Sequence, residues 1–228
     1  MRLSEVYTSV QGEGPNTGTL EQFIRFGGCN MRCPGWPCDT QYAIDPEFRD
    51  EWEKVSVADV LADVQAYPKH VCITGGEPLI QKSDQMEALG YELLHRHYKI
   101  DLFTNGSRPM PNWVSSLEAT IIMDWKLPGS GEAESFLEQR RLNLFRLGMK
   151  DAIKFVVMDE DDFRYAINIW NDIYAQMGQP PFQVYVGKVW DGKLDDQAII
   201  DLLRRTRLPW KVNVQVHKYI WEPTLRGV

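Results

Sequence analysis

The chain has 228 residues and a mass of 26.4 kDa, a length that favours a single domain. Hydrophobic residues make up 43% of it and charged residues 25%, which is typical of a globular protein and excludes a disordered or fibrous chain. The formal net charge of −7 excludes a general electrostatic attachment to phosphate backbones, so a direct nucleic-acid partner is not expected.

The predicted elements alternate between strands and helices along the whole chain. Apolar runs of strand length occupy residues 22–26, 70–74, 100–104, 120–123, 152–158, 182–187 and 211–216. Apolar residues at helical spacing predict helices that begin near Ser56 and that span residues 83–97, 132–147, 161–177 and 194–205. Most strand-like runs are continuously apolar, as is typical of a parallel sheet. The sequence therefore predicts an α/β fold, and both a partial barrel and an open doubly wound sheet fit this order.

Two of the predicted helices carry polar residues that favour helix initiation. The segment from Ser56 to Asp59 is similar to a capping box and precedes apolar residues at helical spacing. Acidic residues at 159–162 suit the positive end of a helix dipole.

Targeting segments, membrane spans and domain boundaries in the sequence bear on location and domain organisation. The opening residues MRLSEVYTSVQGEG lack the apolar core of a signal peptide, and no apolar run approaches the roughly 20 residues of a membrane span. No repeat, low-complexity tract or linker divides the chain. We therefore expect a cytoplasmic protein without membrane contact, built as one domain over residues 1–228.

Cysteine placement is the first indication of chemistry. Cys29, Cys33 and Cys38 lie on one short segment after the predicted strand 22–26, whereas Cys72 lies alone in an apolar run. Three thiolates on one loop can each bind one iron of a 4Fe–4S cluster and leave the fourth iron for an outside ligand. A structural zinc ion would need a fourth Cys or His, and no His is next to the loop in sequence. The pattern favours an iron–sulfur cluster over structural zinc.

A second motif, Thr74-Gly-Gly-Glu-Pro78, ends the predicted strand 70–74. Adjacent glycines allow a close approach of the backbone to another group, and proline favours the following turn. Alone, this segment indicates only a turn between a strand and a helix. Because it follows a three-cysteine loop in the same chain, the combination of the two motifs is specific, although the turn alone is not.

Together, the two motifs resemble those of the radical S-adenosylmethionine superfamily. Its members carry a Cys-x3-Cys-x2-Cys loop after the first strand of a barrel and a GGEP-type motif after the second. Here the spacing is Cys-x3-Cys-x4-Cys, with two additional residues within Pro34-Gly-Trp-Pro37. Within the superfamily the chain resembles the 7-carboxy-7-deazaguanine synthase family of the queuosine pathway.

This narrower resemblance extends along the chain. The family's motifs are matched in order by Glu5–Gly14 (EVYTSVQGEG), Arg25, Cys38-Asp-Thr40, Thr104-Asn-Gly106, Asp124–Ser130 (DWKLPGS) and Val216-His-Lys-Tyr219. Phe103 stands where the family usually has a glutamate. Each motif is weak alone, but their order is specific.

The resemblance implies a truncated TIM-type barrel with mainly parallel strands. It implies a lyase that uses a 4Fe–4S cluster, S-adenosylmethionine and Mg²⁺. The implied reaction converts 6-carboxy-5,6,7,8-tetrahydropterin into 7-carboxy-7-deazaguanine with loss of ammonia. A homodimer and a reductant such as flavodoxin or ferredoxin are implied as well.

The resemblance also implies a set of site residues. The cluster ligands would be Cys29, Cys33 and Cys38, and Thr40 would bind Mg²⁺. The S-adenosylmethionine contacts would be Pro37, Asp39, Gly76, Asp124, Trp125 and Lys126. The substrate contacts would be Val10, Gln11, Gly12, Glu13, Arg25, Thr74 and His217. Independently of the resemblance, the position of Trp36 inside the cluster loop suggests that it shields the cluster from water.

Plainer alternatives exist for these residues and for the whole chain. Arg25 would otherwise be an exposed strand arginine, Asp39 and Thr40 loop caps, and Asp124 and Lys126 solvated charges. The alternative enzyme is an activase of a glycyl-radical protein, which also uses three cysteines. The alternative outside enzymes is a zinc-binding α/β interaction module.

Overall fold

A computed structural model of the chain describes residues 1–36, 38–190, 192–222 and 225–228. The strands are β1 (Arg2–Val10), β2 (Leu20–Phe26), β3 (Glu53–Lys54), β4 (His70–Gly75), β5 (Lys99–Thr104), β6 (Ala119–Trp125), β7 (Ala152–Val157), β8 (Gln183–Lys188) and β9 (Lys211–Val212). The α-helices are α1 (Val57–Asp63), α2 (Ser83–His95), α3 (Leu137–Leu144), α4 (Glu160–Met177), α5 (Asp196–Thr206) and α6 (His217–Ile220). Short 3-10 helices lie at Gln41–Ala43, Pro46–Glu51, Pro78–Ile80, Asn112–Ser115 and Pro128–Ser130.

These strands form a nine-stranded sheet in the order β3-β1-β2-β4-β5-β6-β7-β8-β9. The strands β2 and β4 to β9 are parallel neighbours in chain order, so every crossover moves in the same direction. A doubly wound sheet would reverse this direction at a switch point. Within the described residues the edge strands β3 and β9 do not pair with each other, so the sheet stays open. The fold is therefore a partial barrel, as the resemblance implied.

Alternate residues of the strands separate the core from the barrel interior. In β6, Met123 and Trp125 belong to the hydrophobic core that packs against the helices, whereas Asp124 between them does not. The same alternation leaves Arg25 of β2 and Lys154 of β7 outside that core. Because successive side chains of a strand point to opposite faces, these charged residues line the interior of the partial barrel.

Most predicted elements are confirmed, with small differences in their bounds. The capping box is present, since the Ser56 side chain accepts from the Asp59 N–H and the Asp59 side chain accepts from the Ser56 N–H. The Asp159 side chain caps α4 by accepting hydrogen bonds from the N–H groups of Asp161 and Asp162. Among the described residues, no helix is both long enough and apolar enough to cross a membrane.

Several elements of the structure differ from the prediction. β1 was not predicted, because it is antiparallel to its neighbours and its sequence is not continuously apolar. The strand expected at 211–216 is only two residues long, since the chain turns toward the interior after Val212. The helix expected at 132–147 begins only at Leu137, because the buried Arg140 guanidinium donates to the backbone carbonyl oxygens of Glu132 and Ala133 and keeps that segment a loop.

Candidate active site

The cysteine loop begins at the end of β2 and is held there by the backbone after β4. The Gly76 N–H donates to the Phe26 carbonyl oxygen at 3.1 Å, and the Glu77 N–H donates to that of Gly28 at 2.9 Å. A Cβ atom on Gly76 would lie 2.4 Å from the Gly28 carbonyl oxygen. Glycine is therefore required where the T-G-G-E-P turn meets the backbone that precedes Cys29.

The three loop cysteines are half-buried and form no disulfide. The Cys29 sulfur accepts a hydrogen bond from the Met31 N–H at 3.4 Å, and the Asn105 amide nitrogen lies 3.9 Å from the same sulfur. Burial raises the pKa of the Cys29 thiol and raises that of Cys33 to about 11. The unliganded thiols of Cys29 and Cys33 would thus be protonated at neutral pH, and a bound metal centre would deprotonate them.

These sulfurs are spread more widely than the ligands of a single metal ion. Among the described residues, which include all four cysteines, the one trio of His, Cys, Asp or Glu side chains with all ligand atoms within 4.8 Å is Glu21, His70 and Asp101. Sulfurs around a tetrahedral zinc ion would be about 3.8 Å apart. The wider spacing fits thiolates that each bind a different iron.

The longer spacing between Cys33 and Cys38 is accommodated by contact with the turn after β6. The Gly35 N–H donates to the Ser130 carbonyl oxygen at 3.3 Å, and a Cβ atom on Gly35 would lie 1.7 Å from the Gly129 carbonyl oxygen. Trp36 is half-buried in the same segment. Pro37, an expected S-adenosylmethionine contact, lies outside the described residues.

Glu77 connects the neighbouring strand to the cluster loop, although the sequence analysis did not single it out. Its buried carboxylate accepts hydrogen bonds from the Thr104 hydroxyl at 2.8 Å and from the N–H groups of Asn105 and Leu79 at 2.6 and 3.0 Å. Burial outweighs these donors and raises the pKa of Glu77 to about 7. Because Asn105 also contacts Cys29, Glu77 fixes the end of β5 against the cysteine loop.

Ion pairs fill the barrel interior below the cysteine loop. The Lys154 ammonium lies 2.8 Å from Glu13 Oε2 and 3.9 Å from Asp124 Oδ2. Asn213 and Gln215 donate to Glu13 Oε1 at 3.2 and 3.0 Å. Although burial would lower the pKa of Lys154, Glu13 raises it above its ordinary value. Lys154 was not predicted as a site residue, and its sequence signal is a lysine inside a continuous apolar strand.

Asp124 and Lys126 face this interior beside the cysteines. The Lys126 ammonium lies 3.0 Å from Asp124 Oδ2, and the side chains are only 15% and 21% exposed, so neither is a solvated loop charge. Asp124 Oδ1 is buried and has no hydrogen-bond partner within the described residues. A buried carboxylate oxygen without a donor fits a bound molecule that presents a hydroxyl or N–H group. The Trp125 side chain, by contrast, points into the core under the Arg140 guanidinium.

The Q-G-E-G segment meets the carboxy-terminal segment, as a shared site requires. The Val216 N–H donates to the Gly12 carbonyl oxygen at 3.1 Å, and a Cβ atom on Gly12 would lie 1.8 Å from His217 Nδ1. Burial lowers the pKa of His217, so its imidazole is neutral at neutral pH. Val10 and Gln11 lie beside the amino-terminal end of β2, away from the cysteine loop. There the Gln11 amide donates to Glu21 at 2.9 Å.

Arg25 is a buried and oriented side chain and not an exposed strand arginine. Its Nε donates to Glu5 at 2.8 Å and its Nη2 to the Tyr7 hydroxyl at 2.7 Å, with 11% of the side chain exposed. The guanidinium carbon lies 5.8 Å from the ring centres of both Tyr7 and Tyr42. Thr74 is the register partner of Arg25 on β4, so the two predicted substrate contacts are adjacent.

Asp39 and Thr40 follow the last loop cysteine. The exposed Asp39 carboxylate lies 3.1 Å from the Lys218 ammonium. The Thr40 hydroxyl lies 3.4 Å from the Cys38 sulfur, and it makes no capping hydrogen bond to the 3-10 helix that follows. The Thr40 hydroxyl therefore contacts the cysteine loop through the Cys38 sulfur and does not cap the 3-10 helix that follows.

Comparisons with known proteins agree with this geometry. The family described as 4Fe-4S single cluster domain matches residues 10–106. A 7-carboxy-7-deazaguanine synthase of Clostridium acetobutylicum is 31% identical over 100% of this chain and 99% of its own length. One from Methanospirillum hungatei is 34% identical over 98% of this chain and 86% of its own length. The fold matches the crystal structure of QueE from Escherichia coli with a TM-score of 0.68, at 23% identity and 92% coverage of each chain.

Proposed function

Because this chain belongs to the 7-carboxy-7-deazaguanine synthase family, we propose that it is a radical S-adenosylmethionine lyase that converts 6-carboxy-5,6,7,8-tetrahydropterin into 7-carboxy-7-deazaguanine and ammonia. The observation that carries the proposal is the three-cysteine loop, held by the T-G-G-E-P backbone directly above a charged barrel interior. We propose one radical S-adenosylmethionine core domain over residues 1–228.

When bound, the reduced 4Fe–4S cluster and S-adenosylmethionine supply a 5′-deoxyadenosyl radical that takes a hydrogen atom from C6 of the pterin. Cys29, Cys33 and Cys38 would each bind one iron. The nearby Lys126 ammonium favours the thiolate form of Cys33, opposing the effect of burial. Asp124 Oδ1 would accept a hydrogen bond from bound S-adenosylmethionine, since it lacks a donor within the described residues.

The remaining proposed S-adenosylmethionine contacts surround the same loop. They are Pro37, Asp39, Gly76, Trp125 and Lys126. Gly76 would contribute through its backbone, because a side chain is excluded there. Trp125 would likewise contribute through its backbone, because its side chain is in the core.

The substrate would lie in the interior between Arg25 and Glu13. Arg25 would bind the pterin carboxylate through its planar guanidinium, which the two tyrosine rings hold in one orientation. Although burial would raise the pKa of Glu13, Lys154 keeps it below its ordinary value, so Glu13 is ionised. An ionised Glu13 would accept hydrogen bonds from the guanidine-like part of the pterin. Val10, Gln11, Gly12, Thr74 and His217 complete the proposed substrate contacts.

Arg25→Lys is expected to weaken pterin binding by roughly ten- to a hundredfold, because an ammonium cannot form two parallel charge-assisted bonds to a carboxylate. Pterin affinity and the ratio of deoxyadenosine to deazaguanine product are measured for both proteins. Arg164→Lys on the exposed face of α4 is the matched control and should change neither. Parent-like affinity and coupling in Arg25→Lys would place the substrate carboxylate elsewhere.

Thr40→Val is expected to weaken the Mg²⁺ dependence of turnover, because it removes the one protein oxygen proposed as a ligand while keeping the shape of the side chain. Mg²⁺ commonly takes few protein ligands and retains water and substrate oxygens. Iron content and uncoupled cleavage of S-adenosylmethionine should stay at parent levels. Thr40→Ser, which restores a hydroxyl, should recover the parent titration; an unchanged titration in Thr40→Val would remove Thr40 from the Mg²⁺ site.

The proposed function is tested with anaerobically reconstituted protein. We expect about four irons per chain and formation of 7-carboxy-7-deazaguanine that requires both the carboxylated pterin and S-adenosylmethionine. A glycyl-radical activase would form deoxyadenosine without any need for the pterin. Stoichiometric zinc at the loop cysteines with no iron would contradict both enzymes and favour the interaction module.

The cellular partners are part of the same proposal. An electron donor such as flavodoxin or ferredoxin would approach the cysteine loop, where a groove of about 490 Å³ is lined by Cys33, Trp36 and Cys38. The proposed homodimer rests on the family resemblance alone, and the cytoplasmic location expected in the sequence analysis remains part of the proposal. Size-exclusion chromatography with light scattering tests the dimer.

A further inference from the structure

A second polar cluster lies in the barrel interior near the amino-terminal ends of neighbouring strands, whereas the cysteine loop follows the carboxy-terminal end of β2. It consists of Glu21 near the start of β2, His70 at the start of β4, and Asp101 in β5. The His70 Nε2 atom lies 3.0 Å from Asp101 Oδ1 and 3.5 Å from Glu21 Oε1. The two carboxylate side chains are fully buried, and the imidazole is 11% exposed.

Hydrogen bonds within the protein leave this cluster incomplete. The Asn16 amide donates to both oxygens of Asp101, at 2.8 and 3.1 Å, and the Gln11 amide donates to Glu21 Oε2 at 2.9 Å. Glu21 Oε1 is buried without a hydrogen-bond partner in the described part of the chain. The His70 Nε2 atom has one hydrogen at most, and it is already closer to Asp101.

In the part of the chain that the structure describes, neither Glu21 nor Asp101 forms an ion pair with a Lys or Arg side chain. Two ionised carboxylates buried side by side would be costly, and a cation between them would offset that cost.

We propose that Glu21, His70 and Asp101 bind one divalent transition-metal ion of the zinc class. Ligand bonds of about 2.0–2.2 Å in a tetrahedral site place neighbouring ligand atoms roughly 3.3–3.6 Å apart, close to the 3.0 and 3.5 Å separations found here. An imidazole nitrogen favours zinc over Mg²⁺, which prefers oxygen ligands. The amides of Gln11 and Asn16 hold the two carboxylates in place, as outer partners of metal ligands commonly do.

The ion would fasten the segment that carries Glu13 to the strands of the barrel. Gln11 and Asn16 flank Glu13 and each bonds one of the two metal-binding carboxylates. Binding to strands β2, β4 and β5 would therefore fix the entry of this segment into the interior. The site is separate from the cysteine loop and does not depend on the proposed function.

The test uses holoenzyme with its cluster intact, so that the loop cysteines are occupied. The protein is incubated with excess zinc chloride and desalted anaerobically, and iron and zinc per chain are measured by mass spectrometry. We expect one zinc per chain in the parent and in His95→Gln, which changes an exposed histidine in the last turn of α2. His70→Gln should bind zinc at least about a hundredfold more weakly while it keeps its iron.

Glu21→Gln serves as a second variant in case His70→Gln does not fold. Its amide can donate to Asp101 and should preserve folding without the metal. Zinc at about a hundred times its dissociation constant should raise the melting temperature of the parent by about 5–10 °C and that of Glu21→Gln by none. A parent that retains no zinc, or zinc retained equally by His70→Gln or Glu21→Gln, overturns the proposal and leaves a carboxyl pair that shares a proton.

Discussion

Replacement of any one of Cys29, Cys33 or Cys38 by alanine is expected to abolish retention of the 4Fe–4S cluster. The cluster already leaves one iron without a protein ligand, so each substitution leaves only two thiolates. The fold should persist, because the loop is positioned by backbone hydrogen bonds from the turn after β4 and not by the sulfurs. Iron and sulfide per chain after anaerobic desalting should fall from about four of each to nearly none.

Cys72→Ala is the matched control for these variants. Cys72 is 1% exposed and lies within β4, paired in register with Phe23 and Asp101 and away from the end of the strand that meets the cysteine loop. Its buried thiol behaves as a small hydrophobic group, so iron content should match the parent. Loss of iron in Cys72→Ala would indicate a fourth protein ligand and a closed site, which contradicts a cluster with an open iron.

Lys154→Met is expected to lower the free energy of unfolding by about 3 kcal/mol, because it leaves the Glu13 carboxylate buried without its cation. The side chains of Lys154 and Glu13 are only 10% and 13% exposed, so solvent screens the pair weakly. The urea midpoint of the anaerobic protein, followed by far-ultraviolet circular dichroism, should fall by roughly 1 M. Pterin affinity should fall with it, since Glu13 is a proposed substrate contact.

The double variant Glu13→Gln/Lys154→Met separates a lost ion pair from a general packing defect. Removing both charges should restore much of the stability lost in Lys154→Met, because the buried unpaired carboxylate is gone. Strictly additive losses from the two substitutions would show that the pair does not account for the effect. Arg204→Met, which breaks an exposed pair with Asp201, is the control and should change the midpoint very little.

The pH dependence of this loss follows from the two pKa shifts. Glu13 has a pKa below its ordinary value of 4.5, so its stabilising contribution is complete above 4.5 and is lost only as the pH falls below it. Lys154 has a pKa above 10.5, so its contribution is complete below 10.5 and is lost as the pH rises. In the parent, the contribution of the pair should therefore be the same at about pH 6 and at about pH 8. In Lys154→Met, burial is no longer opposed by the ammonium and raises the pKa of Glu13, so the difference between the two proteins should be smaller at about pH 6 than at about pH 8. A difference that grows as the pH falls would contradict the assignment.

The sequence alone determined those features that depend on neighbouring residues. The α/β class followed from continuous apolar runs between helical patterns, because burial on both faces requires such runs. The start of α1 after Ser56 followed from its capping box, and the start of α4 near residue 161 followed from acidic residues at 159–162 that suit the helix dipole. The cluster loop followed from Cys29, Cys33 and Cys38, whose thiols need no distant partner to lie on one loop.

The tertiary structure alone decided which charged groups meet inside the barrel. Lys154 and Glu13 are 141 positions apart, and Glu21, His70 and Asp101 come from three strands. A continuously apolar strand shows no alternation that would distinguish its helix-facing side from its interior side. The side to which Lys154 points therefore depended on strand register and winding. The apolar pattern left both a partial barrel and a doubly wound sheet open, because both arrangements bury the same runs of residues between helices, and only the family resemblance predicted the barrel that the winding confirmed.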